Sequence, residues 1–109
     1  MSTLIEIPVI ETERLTLRAL SVEDVAPFAA FGASERSRFV GGPSDDPRDA
    51  WWSLATHAGH WVMRGYGGLS IRDRATGAPA GRVAIWHPGW LDEPELSWVL
   101  YEEFEGRGY

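Results

Sequence analysis

The sequence contains no cysteine, which excludes disulfides, thiolate metal sites and a cysteine nucleophile and fits a reducing compartment. It has no apolar run of membrane-spanning length. Its opening, Met1-Ser2-Thr3-Leu4-Ile5-Glu6, lacks the basic start and long apolar stretch of a signal peptide. A cytoplasmic protein with no membrane partner is therefore expected. Positive charge is scarce: 10 Lys and Arg against 16 Asp and Glu leave a net charge of -6. Non-specific nucleic-acid binding runs on phosphate neutralisation by basic side chains, so that class is disfavoured. The acidic balance would suit a cationic acceptor, although it is read first as a solubility device. There is no internal repeat, no low-complexity tract and no interdomain linker.

What is present is an ordinary soluble mix, 44% hydrophobic and 24% charged over 109 residues, enough for one domain with a small core. Six Trp is a high number for so short a chain. They either fill that core or line a groove that a ligand or another part of a protein covers.

From Arg14 the chain alternates. Leu15, Leu17 and Ala19 share one face and Arg14, Thr16 and Arg18 the other, the period of a half-buried strand. Ser21-Val22-Glu23-Asp24 reads as a helix start, with a Ser21 cap and acidic residues in the first turn. Pro27 lies too deep for the first helical position, which predicts a kink or an early end. A second short helix is expected over residues 34–40, closed by Gly41-Gly42-Pro43. Asp46 and Pro47 then form a stronger start, cap followed by N1 proline. Trp51, Leu54, Ala55, Ala58, Trp61 and Val62 make a helical stripe that Gly65 ends. Strands follow at residues 69–72 and 81–86, joined by the turn Asp73-Arg74-Ala75-Thr76-Gly77, and His87-Pro88-Gly89 breaks the second. A further strand covers residues 95–100, with Leu96, Trp98 and Leu100 on one face.

After this fourth strand the sequence runs Glu103-Phe104-Glu105-Gly106-Arg107-Gly108-Tyr109. A glycine-rich turn behind a strand lets backbone N–H groups converge on an anion, and a helix normally follows it. Gly-x-Gly alone is a weak signal, and its position carries the weight.

Four ordered segments resemble the GNAT acetyltransferases, in particular the branch related to ribosomal-protein N-terminal acetyltransferases. They are Glu11-Thr12-Glu13-Arg14-Leu15-Thr16-Leu17-Arg18, the helix end Trp61-Val62-Met63-Arg64-Gly65-Tyr66-Gly67, the hairpin Thr76-Gly77-Ala78-Pro79-Ala80-Gly81-Arg82-Val83, and Glu95-Leu96-Ser97-Trp98-Val99-Leu100 with Gly106-Arg107-Gly108-Tyr109. The chain departs in having Glu103 where that loop often carries Gln or Arg.

The resemblance implies an α+β, GNAT-like (acyl-CoA N-acyltransferase) fold. Its sheet would be mixed but mostly antiparallel, with flanking helices and truncated after the fourth strand. Residues 1–109 would then be the N-terminal part of a single acetyltransferase domain. It further implies acetyl-CoA as cosubstrate, no metal, and direct acetyl transfer to a primary amine, either a protein N-terminus or a small amine. Backbone groups of Trp98, Val99 and Leu100 would hold the pantetheine arm. The N–H groups of Gly106, Arg107 and Gly108 would take the pyrophosphate, with the Arg107 charge helping. An attacking amine must lose a proton, and Glu95 is the candidate base; a plain solvent-facing residue after Pro94 is the alternative for it. The family's general acid would lie beyond Tyr109, so the 109 residues alone are expected to be inactive or nearly so. A homodimer is compatible with this reading.

Other signals weigh less. His57 and His60 sit at i, i+3 on one helix, but zinc needs three or four placed ligands. His87 reads as a turn residue, Ser34 and Ser37 lie in no nucleophile elbow, and Asp45-Asp46 reads as helix capping. The tryptophan stripe reads as core, with Trp52 off it and facing a possible acceptor. Two other functions stay open: a non-catalytic acyl-CoA-binding or partner-completed module, and an unrelated α+β scaffold with a fortuitous Gly-x-Gly.

Overall fold

The computed structural model describes residues 5–35, 37, 43–44 and 46–101. The elements are β1 (Ile10–Glu11), β2 (Leu15–Ala19), a 3-10 turn (Val22–Asp24), α1 (Val25–Ala33), α2 (Pro47–Arg64), β3 (Gly68–Asp73), β4 (Pro79–Trp86) and β5 (Glu95–Leu100). The strands form one sheet in the order β1-β2-β3-β4-β5, and every pairing is antiparallel. This is the α+β architecture expected from the sequence. The two-residue β1 is an addition to it.

Each boundary has a local cause. The Asp46 carboxylate accepts the Arg48 N–H at 3.0 Å and starts α2, and Gly65 ends it in a left-handed conformation at φ 80°. In the β3–β4 turn Gly77 takes φ 77° and its N–H returns to the Asp73 carbonyl at 2.7 Å. A side chain at either glycine would be strained.

Pro27 behaves differently from the expected kink. The 3-10 turn comes first and α1 restarts at Val25, so Pro27 falls in the first turn, where its missing N–H would have no intrahelical partner anyway. The helix continues to Ala33. The expected helix over residues 34–40 lies largely outside the described residues.

Pairing across antiparallel strands puts Gly68, Ser70 and Arg72 of β3, Arg82, Ala84 and Trp86 of β4, and Glu95, Ser97 and Val99 of β5 on one face. Both helices cover this face. Phe28 of α1 and Ala50 and Leu54 of α2 join Val99 and Tyr101 in the main core. Burying each of the larger apolar side chains contributes about 1.5–3 kcal/mol. The opposite face carries a second cluster around Leu15 and Ile71, with Leu17, Val83 and Leu100 partly buried beside it. Farther along that face Ile85, Leu96 and Trp98 are exposed.

Of the expected α2 stripe, Leu54 is buried and Ala58 and Trp61 are half-buried, while Trp51, Ala55 and Val62 are exposed. Ala50, His57 and His60 join Leu54 on the inward face, a rotation of about one residue. The cause is the close approach of α2 to the start of β3. A Cβ at Gly67 would lie 2.7 Å from the His57 carbonyl oxygen, and one at Gly68 would lie 2.8 Å from the His57 Cβ. Paired glycines therefore make the space that His57 occupies.

Candidate active site

The outer edge of β5 is the first part of the site. β5 closes the sheet order, and among the described residues no strand pairs with its outer side. The Tyr101 N–H donates to the Ala80 carbonyl at 2.9 Å. By alternation, Val99 pairs inward with Arg82, while Trp98 and Leu100 turn their backbone groups away from β4. Of the three residues expected to hold an extended ligand, Trp98 and Leu100 thus face the edge and Val99 faces β4. Gly106, Arg107 and Gly108 lie outside the described residues.

β4 and β5 approach closely at Gly81, where an added Cβ would run into the Val99 carbonyl oxygen. Glycine here lets the two strands meet and fixes the position of the β5 edge.

Glu95 opens β5 opposite Trp86 and is exposed. Trp86 anchors an aromatic group: His57 stands edge-on to it at 5.0 Å between ring centroids, His60 lies at 5.5 Å and Trp90 at 6.4 Å. Glu95 is thus the β5 partner of the residue at the centre of this group, and is itself exposed.

The histidines are fixed by hydrogen bonds. His60 Nδ1 lies 2.6 Å from the Tyr66 carbonyl oxygen, and His60 Nε2 accepts the His87 N–H at 2.9 Å. A carbonyl can only accept and an N–H can only donate, so this geometry fits the ring with its proton on Nδ1. His87 completes the chain, with Nδ1 3.0 Å from the Tyr66 hydroxyl and Nε2 3.1 Å from the Leu91 carbonyl. It is more than a turn residue, because it ties the end of β4 to the segment after α2. His57 is buried, and desolvation, followed by the nearby Arg82 charge and His60, lowers its pKa to about 4. Among the described residues no group of three or more His, Cys, Asp or Glu could hold a metal ion.

A cavity of about 160 Å³ lies between the 3-10 turn and α2, walled by Leu20, Val22, Val25, Trp51 and Leu54. Trp51 therefore contributes to a cleft. Trp52, 68% exposed, faces outward beside it.

Sequence reasoning missed three charged residues of this face: Asp24, Arg72 and Arg82, at 0%, 4% and 4% exposure. Asp24 had a legible signal, because Ser21-x-x-Asp24 has the spacing of a capping box. Its carboxylate accepts the Ser21 N–H at 2.9 Å and the Ser70 hydroxyl at 2.7 Å.

Residues 14–109 match the model of the acetyltransferase (GNAT) domain. Among solved structures, an acetyltransferase from Agrobacterium tumefaciens str. C58 is 41% identical, with a TM-score of 0.86, over 100% of this chain and 63% of that one. A GNAT-family acetyltransferase from Bacillus anthracis is 13% identical at a TM-score of 0.71, over 94% of this chain and 58% of that one. A Vibrio cholerae protein provisionally described as a ribosomal-protein-serine acetyltransferase is 18% identical at a TM-score of 0.67, over 93% of this chain and 59% of that one. At such identities the last two show the fold alone. The chain thus spans about 60% of the length of these structures. A comparison with curated proteins gave no match. Among the described residues no helix is long and apolar enough to cross a membrane.

Proposed function

The chain belongs to the acetyltransferase (GNAT) family, and on that premise we propose that its protein is an acetyl-CoA-dependent N-acetyltransferase acting on a primary amine. The observation that carries this reading is the unpaired outer side of β5 among the described residues, with Trp98 and Leu100 turned toward it. An extended pantetheine arm carries amides that complete such an edge as a further strand would. The sequence then carries glycines at 106 and 108, whose N–H groups would take the pyrophosphate in this reading.

In the transfer the amine nitrogen attacks the thioester carbonyl carbon. A C–N bond forms and the C–S bond breaks, and the proton that the amine gives up ends on the leaving thiolate. Glu95 takes the proton that the amine loses, directly or through water. The acceptor is a small-molecule or peptide amine reaching Glu95 past α2. The order of segments favours the branch that modifies protein N-termini.

Binding is the test. Acetyl-CoA that binds the folded chain must raise its melting temperature in proportion to ligand excess over Kd. A saturable rise with acetyl-CoA and a smaller one with dephospho-CoA agree with the reading. An unchanged melting temperature at millimolar ligand contradicts it.

A further inference from the structure

Three residues from separate parts of the chain close a ring of hydrogen bonds. His60 of α2 donates from Nδ1 to the Tyr66 carbonyl at 2.6 Å. The Tyr66 hydroxyl donates to His87 Nδ1 at 3.0 Å, and the His87 N–H returns to His60 Nε2 at 2.9 Å. The ring thus joins the end of α2, the segment before β3 and the end of β4. His87 Nε2 extends it by donating to the Leu91 carbonyl at 3.1 Å, and the Leu91 N–H turns back to the Pro88 carbonyl at 3.1 Å. What the ring straps down is the connection between β4 and β5, residues 87–94. That connection carries Trp90, 78% exposed, and leads into Glu95.

The two imidazoles answer a proton differently. His87 can take one at Nδ1 and donate it to the Tyr66 oxygen, because a hydroxyl both donates and accepts. That reverses one donor and breaks no contact. His60 has no such freedom. Its Nδ1 proton is committed to a carbonyl, which only accepts, and its Nε2 lone pair holds a backbone N–H, which only donates. A proton on Nε2 would meet the proton of the His87 amide and break that link.

The surrounding groups do not offset the loss. His57 and the exposed Arg64 share the helix with His60, and Arg82 of β4 acts on His57. His57 itself stays neutral down to a pKa of about 4, held there by burial first. On the connection and β5 the charged groups are Asp92, Glu93 and Glu95, all exposed to water. Every ring nitrogen of His60 and His87 already has a partner, so none of these carboxylates pairs with a ring.

We infer that His60 is a proton-sensitive latch, which straps the β4–β5 connection to α2 when neutral and releases it when protonated. The inference stands on the ring alone and is independent of the acetyltransferase reading. Its sign follows from linkage. The closed ring excludes the added proton, whereas an imidazole released to water binds one near about pH 6.5. Opening is therefore level above about pH 6.5 and grows about tenfold per pH unit below it.

Amide exchange at His87, followed by NMR in the full-length protein from about pH 8 to about pH 5, tests this. Protection relative to the intrinsic rate should be level at first and then fall about tenfold per pH unit. The Tyr101 amide, bonded to the Ala80 carbonyl, reports the sheet and should stay better protected than His87 at every pH. His60→Gln keeps an acceptor for the His87 N–H but takes no proton, so its profile should be level throughout. Tyr66→Phe deletes only the hydroxyl. It should lower protection about fivefold at every pH, the effect of one hydrogen bond, and keep the slope. Ring nitrogen shifts read the wild type without any variant: at about pH 8 His60 should carry its proton on Nδ1 and His87 on Nε2. A level wild-type profile, a slope that His60→Gln retains, or a His60 proton on Nε2 overturns the inference. Equal protection at His87 and Tyr101 also overturns it, because release would then need global unfolding.

Discussion

Arg72 and Asp24 meet at 3.3 Å under the helices, 48 residues apart in sequence and both almost fully buried. The pair joins the start of the helical layer to the middle of the sheet. Ser70 bridges it by donating to Asp24 and accepting from Arg72, so the carboxylate and the guanidinium each have further partners. Arg82, on the neighbouring strand, has Nε and Nη1 without a hydrogen-bond partner among the described residues.

Asp24→Asn should therefore be severely destabilising. Removing one partner of a buried ion pair strands the other charge and costs about 3–5 kcal/mol. Urea denaturation should show the midpoint falling with an unchanged slope. Replacing both residues by leucine and methionine should cost less than the sum of the two single changes.

His57 should make stability depend on pH in a defined window. Its folded-state pKa near 4 lies below the ordinary 6.5, so the unfolded chain takes up the proton first as pH falls. Its contribution is complete above pH 6.5, declines between 6.5 and 4, and changes no further below that. The loss is about 3 kcal/mol at 1.36 kcal/mol per pKa unit. Melting curves across this window should flatten in His57→Phe.

Gly81→Ala should disturb β5 while removing no side-chain group. The new methyl collides with the Val99 carbonyl oxygen, which is backbone and cannot rotate away. Overpacking of this kind costs about 1–3 kcal/mol. Because the strands must separate to relieve it, acetyl-CoA affinity should fall with stability. Gly77→Ala, in the β3–β4 turn and strained only by its φ of 77°, should lower stability alone.

The strands, the α2 start at Asp46, its end at Gly65 and the hairpin at Gly77 were legible because each depends on residues near in sequence. Which face of α2 turns inward was not. Trp51 and Val62 are the more apolar choice, yet His57 and His60 are buried. His60 is admissible because the Tyr66 carbonyl and the His87 N–H occupy both its nitrogens, partners 6 and 27 residues away. His57 fits because Gly67 and Gly68 leave it room. Neither condition shows in a helical period. Of the expected site, residues 95–100 were legible as a strand. The split between outward Trp98 and Leu100 and inward Val99 needed the β4 register. Arg82 carried no local signal, since an arginine on an alternating strand reads as solvent-facing.

In the full-length protein, Glu95→Gln should lower kcat for acetyl transfer by about 10²-fold, the usual share of a positioned base. The shift in melting temperature with acetyl-CoA should be unchanged. Steady-state rates and melting on the same variant check the two halves, and a variant with full kcat removes Glu95 from the chemistry.

The central claim is that β5 holds the cofactor by its outer backbone edge. Hydrogen–deuterium exchange at the Trp98 amide, with and without saturating acetyl-CoA, reads that edge directly. Exchange at Trp98 should slow sharply on binding, while Val99, already paired with β4, should change little. Binding that leaves Trp98 exchange unaltered would contradict the account.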